Sequence, residues 1–366
     1  MSEPIRFVMV GGFLGAGKTT LISRLAAAYQ SQGLHVGIVT NDQAAGLVDT
    51  RLLESQGYDV NEVAGSCFCC NFDGLVDAMQ AFGNRQRPDV ILAEPVGSCT
   101  DLIATIAIPM AEQLGQQFTH SPYAVVLKPS HGKKILAGSE GGGFSPKAEY
   151  IFRKQLEESE IVVLNRIDEL PADEVRTLRT QIQTEYPGRR IIGLSAKTGE
   201  NLDELIDALD SDAAPINETM QVDYDEYAEG EAELGWLNAT AQFRSSKPIA
   251  LDRLAEELVS RMQIELLTAG AEPAHLKILC QAGDATAMAN LVSSDTPATL
   301  SVASDAAASE IQLLVNARVA AAPEVLEPLT RKTLEQIASN RGAECQVADL
   351  ACFRPGRPVP THRVQR

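Results

Sequence analysis

The feature that most constrains this chain is the glycine-rich segment 11–20, which contains the pattern G-x-x-x-x-G-K-T beginning at Gly12. The apolar run 5–10 before it is predicted to be a strand, and the apolar spacing after it predicts a helix. Glycines at such a junction let successive backbone N–H groups turn inward and cradle phosphate oxygens. The lysine of the pattern reaches the β- and γ-phosphates and the next hydroxyl binds Mg²⁺. The sequence therefore predicts a nucleotide site at Gly12, Gly15, Ala16, Gly17, Lys18, Thr19 and Thr20.

Composition narrows the class of partner. The 366 residues carry a formal net charge of −18, which repels the phosphates of nucleic acids and of anionic lipids. We therefore expect neither nucleic acid nor membrane as a partner, and no apolar run reaches the length of a membrane span. Seven cysteines, an odd number, and an N-terminus without a basic region argue against a secreted disulfide framework. A cytoplasmic protein is predicted.

Strands and helices alternate along the first part of the chain. Further apolar runs predict strands at 36–40, 90–93, 123–127, 161–164 and 190–194, and helical spacing predicts helices at 74–82, 147–158, 172–184 and 201–209. This alternation is typical of an α/β fold with a doubly wound, mainly parallel sheet covered on both faces. We assign residues 1–212 to this domain.

The pattern changes after residue 212. Six acidic residues crowd into 223–233, so 213–237 is interpreted as a solvated acidic linker. Strands at 238–244, 275–282, 298–303, 310–319 and 345–353, with helices at 250–269 and 323–340, predict a smaller α+β domain at 238–353. Its order is ferredoxin-like, a split β-α-β sandwich with one extra strand. The Pro- and Arg-rich tail 354–366 is predicted to be disordered.

Two short motifs concern the choice of base. Asp168 follows the strand 161–164, and a carboxylate there can accept hydrogens from both N1 and N2 of guanine, a donor pair that adenine lacks. The N–H of Ala196, after the next strand, could meet guanine O6. Together the two motifs resemble the N-K-x-D and S-A-K signatures of P-loop GTPases, although Arg166 stands where lysine is usual. The resemblance implies GTP or GDP as ligand and contacts from Asn165, Arg166, Asp168, Ser195, Ala196 and Lys197.

A second pair of motifs concerns catalysis. The strand 89–93 ends in the pattern E-x-x-G, with Glu94 and Gly97, which resembles the CobW-like proteins and the hydrogenase and urease maturation GTPases. In that family the acid holds Mg²⁺ and the glycine N–H senses the γ-phosphate. Segment 40–43 is similar to the N-E-F-G of CobW-like proteins, with Asp42 in place of the glutamate, and Asp49 falls where the family often has an acid. The resemblance implies catalytic roles for Lys18, Thr19, Asp42, Glu94 and Gly97, with Thr19 and Glu94 on Mg²⁺.

Three cysteines crowd into four positions, Cys67, Cys69 and Cys70. This matches the G-C-x-C-C signature of the CobW-like family between the same neighbouring motifs. Three thiolates can bind Zn²⁺, Co²⁺ or another thiophilic ion and leave one position open for transfer. Cys99, just after the E-x-x-G motif, either completes the site or belongs to the core, and the second interpretation is favoured.

The resemblance implies a GTP-hydrolysing metallochaperone whose client is a metalloprotein, and it leaves a homodimer open. Two alternatives stand beside it: a GTPase that assists a cobalamin-dependent system without carrying metal, and a metal-responsive regulatory protein with GTP as a structural ligand. An ATPase is the least favoured class. The basic, Gly-rich segment 128–147 is either a flexible surface loop or a partner-binding loop.

Overall fold

The computed structural model describes residues 3–84, 86–136, 145–211 and 219–365, and the chain forms two compact units. The first comprises Met1–Gln43, Tyr58–Gly230 and Arg357–Arg366, and the second Ala44–Gly57 and Glu231–Gly356. The predicted boundary at residue 212 therefore differs from this division. A local sequence pattern could not reveal that residues 44–57 and 357–366 each pack away from their chain neighbours.

The first unit is built on an eight-stranded sheet in the order β3-β2-β4-β1-β6-β7-β8, with β5 also paired to β1. Its described strand pairs are all parallel. The strands are β1 (Ile5–Gly11), β2 (Val36–Asp42), β3 (Asp59–Ala64), β4 (Val90–Glu94), β5 (Phe118–His120), β6 (Ala124–Leu127), β7 (Ile161–Leu164) and β8 (Arg190–Gly193). The near-continuous apolar runs of the central strands are buried, as expected for strands covered on both faces. The predicted α/β class is confirmed.

Helices up to residue 209 are α1 (Lys18–Ser31), α2 (Val48–Ser55), α3 (Phe72–Ala81), α4 (Ile108–Leu114), α5 (Pro129–Leu136), α6 (Pro146–Glu158), α7 (Ala172–Glu185) and α8 (Leu202–Leu209). Five of them lie where helical spacing predicted them. Helix α5 occupies the start of the segment interpreted as a loop at 128–147, and residues 137–144 of that segment lie outside the described residues. In the described parts of the chain, no helix is long and apolar enough to cross a membrane.

The second unit contains a six-stranded antiparallel sheet in the order β12-β11-β10-β13-β9-β14. Its strands are β9 (Gly235–Ala250), β10 (Glu272–Ala282), β11 (Ala285–Leu291), β12 (Thr299–Val302), β13 (Ala307–Ala320) and β14 (Ala343–Phe353). Helices α10 (Leu251–Thr268) and α11 (Pro323–Asn340) pack on one face, where Leu258, Ile278 and Val315 belong to the core. The sheet thus has six strands, two more than the four of a ferredoxin-like fold and one more than the five predicted from the sequence.

Helix α2 packs on the opposite face of this second sheet. Its Val48 and Leu52 join Leu279, Met288 and Leu314 in a separate apolar cluster. Leu279 and Leu314 are directly opposed across β10 and β13 and alternate along each strand with residues of the other face. The two-residue period of the strands therefore provides one face for α10 and α11 and the other for α2.

Beside that cluster, a row of polar side chains from three adjacent strands holds the chain that leads into α2. Lys277, Asn316 and Asn238 oppose one another on β10, β13 and β9. The Lys277 ammonium lies 2.6 and 2.7 Å from the two carboxylate oxygens of Asp49. Asn316 Oδ1 accepts the N–H of Val48 at 2.6 Å, and Asn238 donates to the carbonyl oxygens of residues 44 and 45 at 3.3 Å each. We call Lys277, Asn316 and Asn238 the polar row.

The interpretation of 213–237 as a solvated linker is wrong for its described part. Helix α9 (Tyr224–Glu231) forms there, and β9 starts at Gly235. Tyr227 is fully buried, and Lys147 of α6 pairs with Glu229 at 2.8 Å. The buried Tyr227 side chain anchors this acidic segment, which its charge alone predicted to be exposed to solvent.

The prediction of a disordered tail is also wrong over its described length. Residues 357–364, here called the strap, lie along the first unit. The backbone N–H of Thr361 donates to the carbonyl oxygen of Cys69 at 2.8 Å, and that of Val364 to the carbonyl oxygen of Ala104 at 2.9 Å. Arg363 Nε donates to the buried Asp101 carboxylate at 2.6 Å. An Arg- and Pro-rich composition is compatible with order when a buried acid receives the arginine.

Candidate nucleotide and metal site

The phosphate loop joins β1 to α1 in a shape that only glycine allows at two points. Gly12 has φ +125°, and a Cβ there would lie 2.3 Å from the carbonyl oxygen of Val126. Gly17 has φ +99°, and its Cβ would lie 2.5 Å from the side-chain nitrogen of Asn165. Both positions combine a left-handed backbone with close neighbours, so the loop keeps an open, side-chain-free inner surface. Such a cradle fits phosphate oxygens at the start of α1, where Thr20 lies exposed.

The predicted catalytic side chains meet beside this loop. Thr19 Oγ1 donates to Glu94 Oε1 at 3.1 Å, and Lys18 Nζ lies 4.0 Å from the same oxygen. The backbone of Gly97 passes so close that a Cβ there would be 3.1 Å from Lys18 Nζ. The structure thus brings Lys18, Thr19, Glu94 and Gly97 together. A hydroxyl and a carboxylate are the hard oxygen ligands that Mg²⁺ prefers.

Asp42 ends β2, the strand next to β4, and Thr40 is the register partner of Glu94. The Asp42 carboxylate is buried and accepts a hydrogen bond from the N–H of Gln43 at 2.7 Å. Asp49, the other acid that the family pattern suggested, instead lies in the second unit and pairs with Lys277. Of the two acids, only Asp42 therefore lies at the edge of the sheet that carries Glu94.

The predicted base-binding motifs are tied to the phosphate loop through Asn165. Its side-chain nitrogen donates to the carbonyl oxygen of Ala16 at 2.9 Å, while its Oδ1 accepts the N–H of Ala196 at 2.9 Å. The N–H expected to meet guanine O6 is thus already bonded within the protein, and that contact is not prearranged. Arg166 donates to the carbonyl oxygen of Gly15 at 3.3 Å, so the arginine still braces the loop.

The remaining residues of the two base-binding motifs follow the carboxyl ends of β7 and β8. Asp168 and the side chain of Lys197 are exposed there, whereas Ser195 is buried and its Oγ accepts the N–H of Thr198 at 3.1 Å. Sequence reasoning missed Arg24 of α1, which donates to the carbonyl oxygens of Ala196 and Lys197 at 3.1 and 2.7 Å. No sequence signal singles out Arg24, because its role depends on how α1 packs.

The cysteine loop follows β3 and is fastened by Asn41 of β2. The Asn41 amide donates to the carbonyl oxygens of Val63 and Ser66 at 2.8 Å each, and its Oδ1 accepts the N–H of Phe68 at 2.8 Å. Asn41 is buried, and its bonds to Val63 and Phe68 are shielded from water, whereas the bond to Ser66 is partly buried. Sequence reasoning placed Asn41 in the motif 40–43 but gave it no role. Through this one amide group, Asn41, which directly precedes Asp42, is bonded to the residues on both sides of Cys67, Ser66 and Phe68.

The thiols of this loop lie close together. Cys67 Sγ is 3.1 Å from Cys69 Sγ, which is 3.8 Å from Cys70 Sγ. The Sγ atoms of Cys67, Cys69 and Cys99 all lie within 4.8 Å of one another, and these three residues are buried. Four thiolates at about 2.3 Å from a tetrahedral metal stand about 3.8 Å apart, so the observed spacing fits a thiophilic ion after small adjustments. Cys99 is buried and its thiol also lies within reach of the site, so its burial does not decide between a core residue and a ligand.

Thiol–thiol hydrogen bonds distribute charge unevenly within the cluster. Bonds from Cys69, Cys70 and Cys99 hold the pKa of Cys67 well below its usual value. The bond to Cys67 raises the pKa of Cys69, and the same partner raises the pKa of Cys70 to about 11. One thiolate stabilised by its neighbours provides a first ligand for an incoming cation, after which the other thiols lose their protons on binding.

The glycine loop, the parallel sheet and the clustered oxygen ligands define a P-loop nucleotide-binding protein. Residues 6–192 match the model of the family described as "CobW/HypB/UreG, nucleotide-binding domain", and the chain belongs to this family.

Several curated relatives are similar to this chain. The zinc chaperone CobW of Sinorhizobium sp. is 26% identical over 52% of this chain and 59% of its own length. The urease accessory protein UreG of Metallosphaera sedula is 28% identical over 55% of this chain and 91% of its own length. The zinc chaperone YeiR of Escherichia coli is 25% identical over 50% of this chain and 53% of its own. The chain thus spans between half and three fifths of the length of these zinc chaperones.

Among solved structures, the Zn(II)-bound YjiA GTPase from E. coli aligns over 92% of this chain and 99% of its own, with 13% identity and a TM-score of 0.39.

Proposed function

We propose that this chain is a GTP-hydrolysing metallochaperone that binds a thiophilic divalent metal, Zn²⁺ or Co²⁺, at Cys67, Cys69 and Cys70 and delivers it to a client metalloprotein. The observation that carries the proposal is the group of close thiols on a loop that is hydrogen-bonded to Asn41, the residue directly before Asp42. The zinc chaperones among the relatives support zinc as the cargo.

In the nucleotide half of the proposal, the phosphate loop and Lys18 bind the phosphates, and Thr19 and Glu94 hold Mg²⁺. When bound, Mg²⁺ supplies charge that stabilises the β- and γ-phosphate oxygens. Asp42 accepts a hydrogen bond from the attacking water and orients it for in-line displacement. Asp168 accepts the two donors of the guanine edge, and Arg166 braces the loop under the nucleotide. Loss of GTP binding in Asp168→Ala, with no gain of ATP binding, is the expected result for this base assignment.

The two halves are coupled through short connections. Asn41 joins the cysteine loop to β2, so a nucleotide that reorders residues 41–43 also changes the positions of the thiols. Coupling of this kind is typically about 1–3 kcal/mol and reciprocal, so metal changes GTP affinity by the same factor of roughly 5 to 150. The partner is a client metalloprotein, the compartment is the cytoplasm, and a homodimer is a further arrangement that the proposal allows.

The test is an anaerobic titration of the full chain with Zn²⁺ and with Co²⁺ against a chromophoric chelator. It is run with Mg²⁺ and either GDP or a non-hydrolysable GTP analogue. The proposal expects tight thiolate binding that differs between the nucleotides and is abolished in the double variant Cys67→Ser/Cys69→Ser. The control is Cys280→Ser, which alters a fully buried cysteine of the second unit. Metal binding that is indifferent to the nucleotide, or GTP turnover and client activation that survive loss of the thiols, refutes the metallochaperone.

A further inference from the structure

Cys99 follows the E-x-x-G motif by two residues and is held by one helix. Gln155 of α6 donates from its side-chain nitrogen to the carbonyl oxygens of Gly97 at 3.1 Å and of Cys99 at 2.8 Å. Gln155 is 1% exposed, so both bonds are buried. The N–H of Cys99 donates to the carbonyl oxygen of Val96 at 2.9 Å. The amide group of Gln155 thus holds both Gly97, which lies beside Lys18, and Cys99, whose thiol belongs to the cluster.

The same helix also fixes the residues just beyond Cys99. The Glu158 carboxyl group accepts the hydroxyl of Thr100 at 3.1 Å and the N–H of Leu102 at 2.7 Å. Because α6 is a regular helix, Gln155 and Glu158 project to one side of it, one turn apart. The segment from Gly97 to Leu102 therefore moves with α6 or breaks buried hydrogen bonds.

We infer that Cys99 is a ligand of the transferred metal together with Cys67 and Cys69, and that Gln155 is the positioning residue that transmits displacements of Gly97 to this ligand. The three cysteines bind the ion as thiolates, so each thiol that is still protonated releases its proton on binding, and Cys70, half-buried at the edge of the cluster, is the exchangeable fourth ligand. The inference rests on the proposed function. It adds a direct connection between the γ-phosphate sensor and the metal that does not pass through Asn41.

The test of the ligand uses Cys99→Ser and Cys99→Ala, with Cys280→Ser as the buried-cysteine control. Reconstitution with Co²⁺ gives a thiolate-to-cobalt charge-transfer band whose intensity counts the sulfur ligands. We expect both Cys99 variants to lose about one sulfur's share of that band and at least tenfold in metal affinity, since even loss of a group that only orients a ligand typically costs about 10- to 100-fold. Binding of a fluorescent GDP analogue in each variant verifies that the first unit is folded.

A Co²⁺ spectrum in Cys99→Ala equal to that of the unaltered chain would overturn the inference and make Cys99 a core residue. The proposed function would still stand if Cys67→Ser removed metal binding in the same experiment. Loss in neither variant would refute the proposed function itself, so the two failures are distinguishable.

The positioning role is tested with Gln155→Leu, which keeps the size of the side chain and removes its donor. We expect metal affinity with GDP within about threefold of the original, whereas the difference between GDP and the GTP analogue disappears, because coupling energies are separate from binding energies. A purely structural residue would lower affinity equally with both nucleotides, and that result would overturn the assignment.

A second, independent observation concerns the strap. The N–H of Val359 donates to Cys70 Sγ at 3.2 Å, and the N–H of Thr361 donates to the carbonyl oxygen of Cys69 at 2.8 Å. His362 packs edge-on against Phe72, with ring centroids 5.0 Å apart, at the start of the helix that follows the cysteines. The strap thus contacts the partly exposed Cys70 at its thiol and the buried Cys69 only at its backbone carbonyl group.

Two ion pairs fasten the strap at its ends. Arg363 pairs with Asp101, which is 1% exposed and also accepts the hydroxyl of Tyr224 at 2.8 Å. Arg357 pairs with Asp225 at 2.6 Å, where both side chains are exposed. The first pair dominates, since a buried carboxylate depends on its partner far more than an exposed one does.

The geometry points to the strap as the cover of the exchangeable Cys70 position, so that its release opens the site to another ligand. The test is the rate at which a chelator in excess removes Zn²⁺ from the full chain. Arg363→Ala, and a chain ending at Gly356 as the second variant, are expected to release metal at least tenfold faster. Arg341→Ala, which breaks a more exposed arginine–carboxylate pair with Glu257 in the second unit, is the control for loss of an arginine remote from the strap. Unchanged rates in both strap variants, or equal acceleration in the control, would overturn the assignment.

Discussion

Glu158 lends itself to a quantitative prediction, because its charge is set by burial. Its carboxyl group lies inside the first unit and accepts the hydroxyl of Thr100 and the backbone N–H groups of Leu102 and Ile103. Burial raises its pKa to about 8, and the nearby charge of Asp101 adds to the effect. The folded protein therefore carries Glu158 in its neutral form near pH 6.

The pH dependence follows from comparing the two states. An unfolded glutamate ionises near pH 4.5, so between that pH and about 8 the folded chain binds one more proton than the unfolded chain at this site. Stability therefore falls as pH rises through this window, by about 1.4 kcal/mol per unit and by about 5 kcal/mol at most across it. Glu158→Gln has nearly the same shape and never ionises, so it lacks this slope.

The assay is urea unfolding, followed by circular dichroism, of the original chain and of Glu158→Gln at several pH values. Between about pH 5.5 and 7.5 the variant should gain about 2–3 kcal/mol over the original chain, since all other titrating groups are shared. Glu157→Gln, a half-exposed neighbour on the same helix, is the control and should show no such gain. Parallel pH profiles for the original chain and Glu158→Gln would refute the reasoning.

Three further substitutions have defined outcomes. Asn41→Ala removes three hydrogen bonds from the cysteine loop, two of them buried, and should lower the free energy of unfolding by about 2–4 kcal/mol and weaken Zn²⁺ binding in chelator competition; unchanged Zn²⁺ affinity would contradict its fastening role. Gly17→Ala places a methyl group on a backbone with φ +99° and should weaken GDP binding at least tenfold by calorimetry, whereas unaltered binding would show that the loop adapts. Lys277→Met leaves Asp49 buried without its cation and should cost the second unit about 3 kcal/mol, measured by the fluorescence of Trp236; a neutral result would mean that Asp49 is solvated.

Sequence patterns predicted well what depends on neighbouring residues. The phosphate loop places strand, glycines and helix within one short segment, and Lys18 and Thr19 lie beside Glu94. The helical spacing before Glu158 gave the bounds of α6 to within one residue. Apolar periodicity reports burial, and burial decides where these elements lie.

Strand β11 was missed for a local reason. Its sequence, rich in alanine between Ala285 and Leu291, has low intrinsic strand preference, yet the strand is fixed by pairing with β10. The turn residues Gly283 and Asp284 between the register partners Ala282 and Ala285 were the available signal, since a Gly-Asp pair is typical of two-residue hairpins.

Contacts between distant parts of the chain could not be predicted. Arg363 lies 262 residues from Asp101, and its charge predicted solvent exposure rather than pairing with a buried acid. The amide of Asn41 has no sequence signature that distinguishes a solvated asparagine from one that fastens a loop. Cys99 was ambiguous for the same reason, because the cysteines beside it in space are 30 and 32 positions away in sequence.

The polar row has a consequence for the modularity of this protein. Because residues 44–57 are held by the second sheet, the chain crosses between the two units four times, after Gln43, Gly57, Gly230 and Gly356. A fragment cut at residue 212 would carry α2 without Lys277 and Asn316, and a domain exchanged between relatives at that point would lose its own inserted helix. Domain exchange would need to transplant residues 44–57 together with 231–356, because these two separate segments form one structural unit.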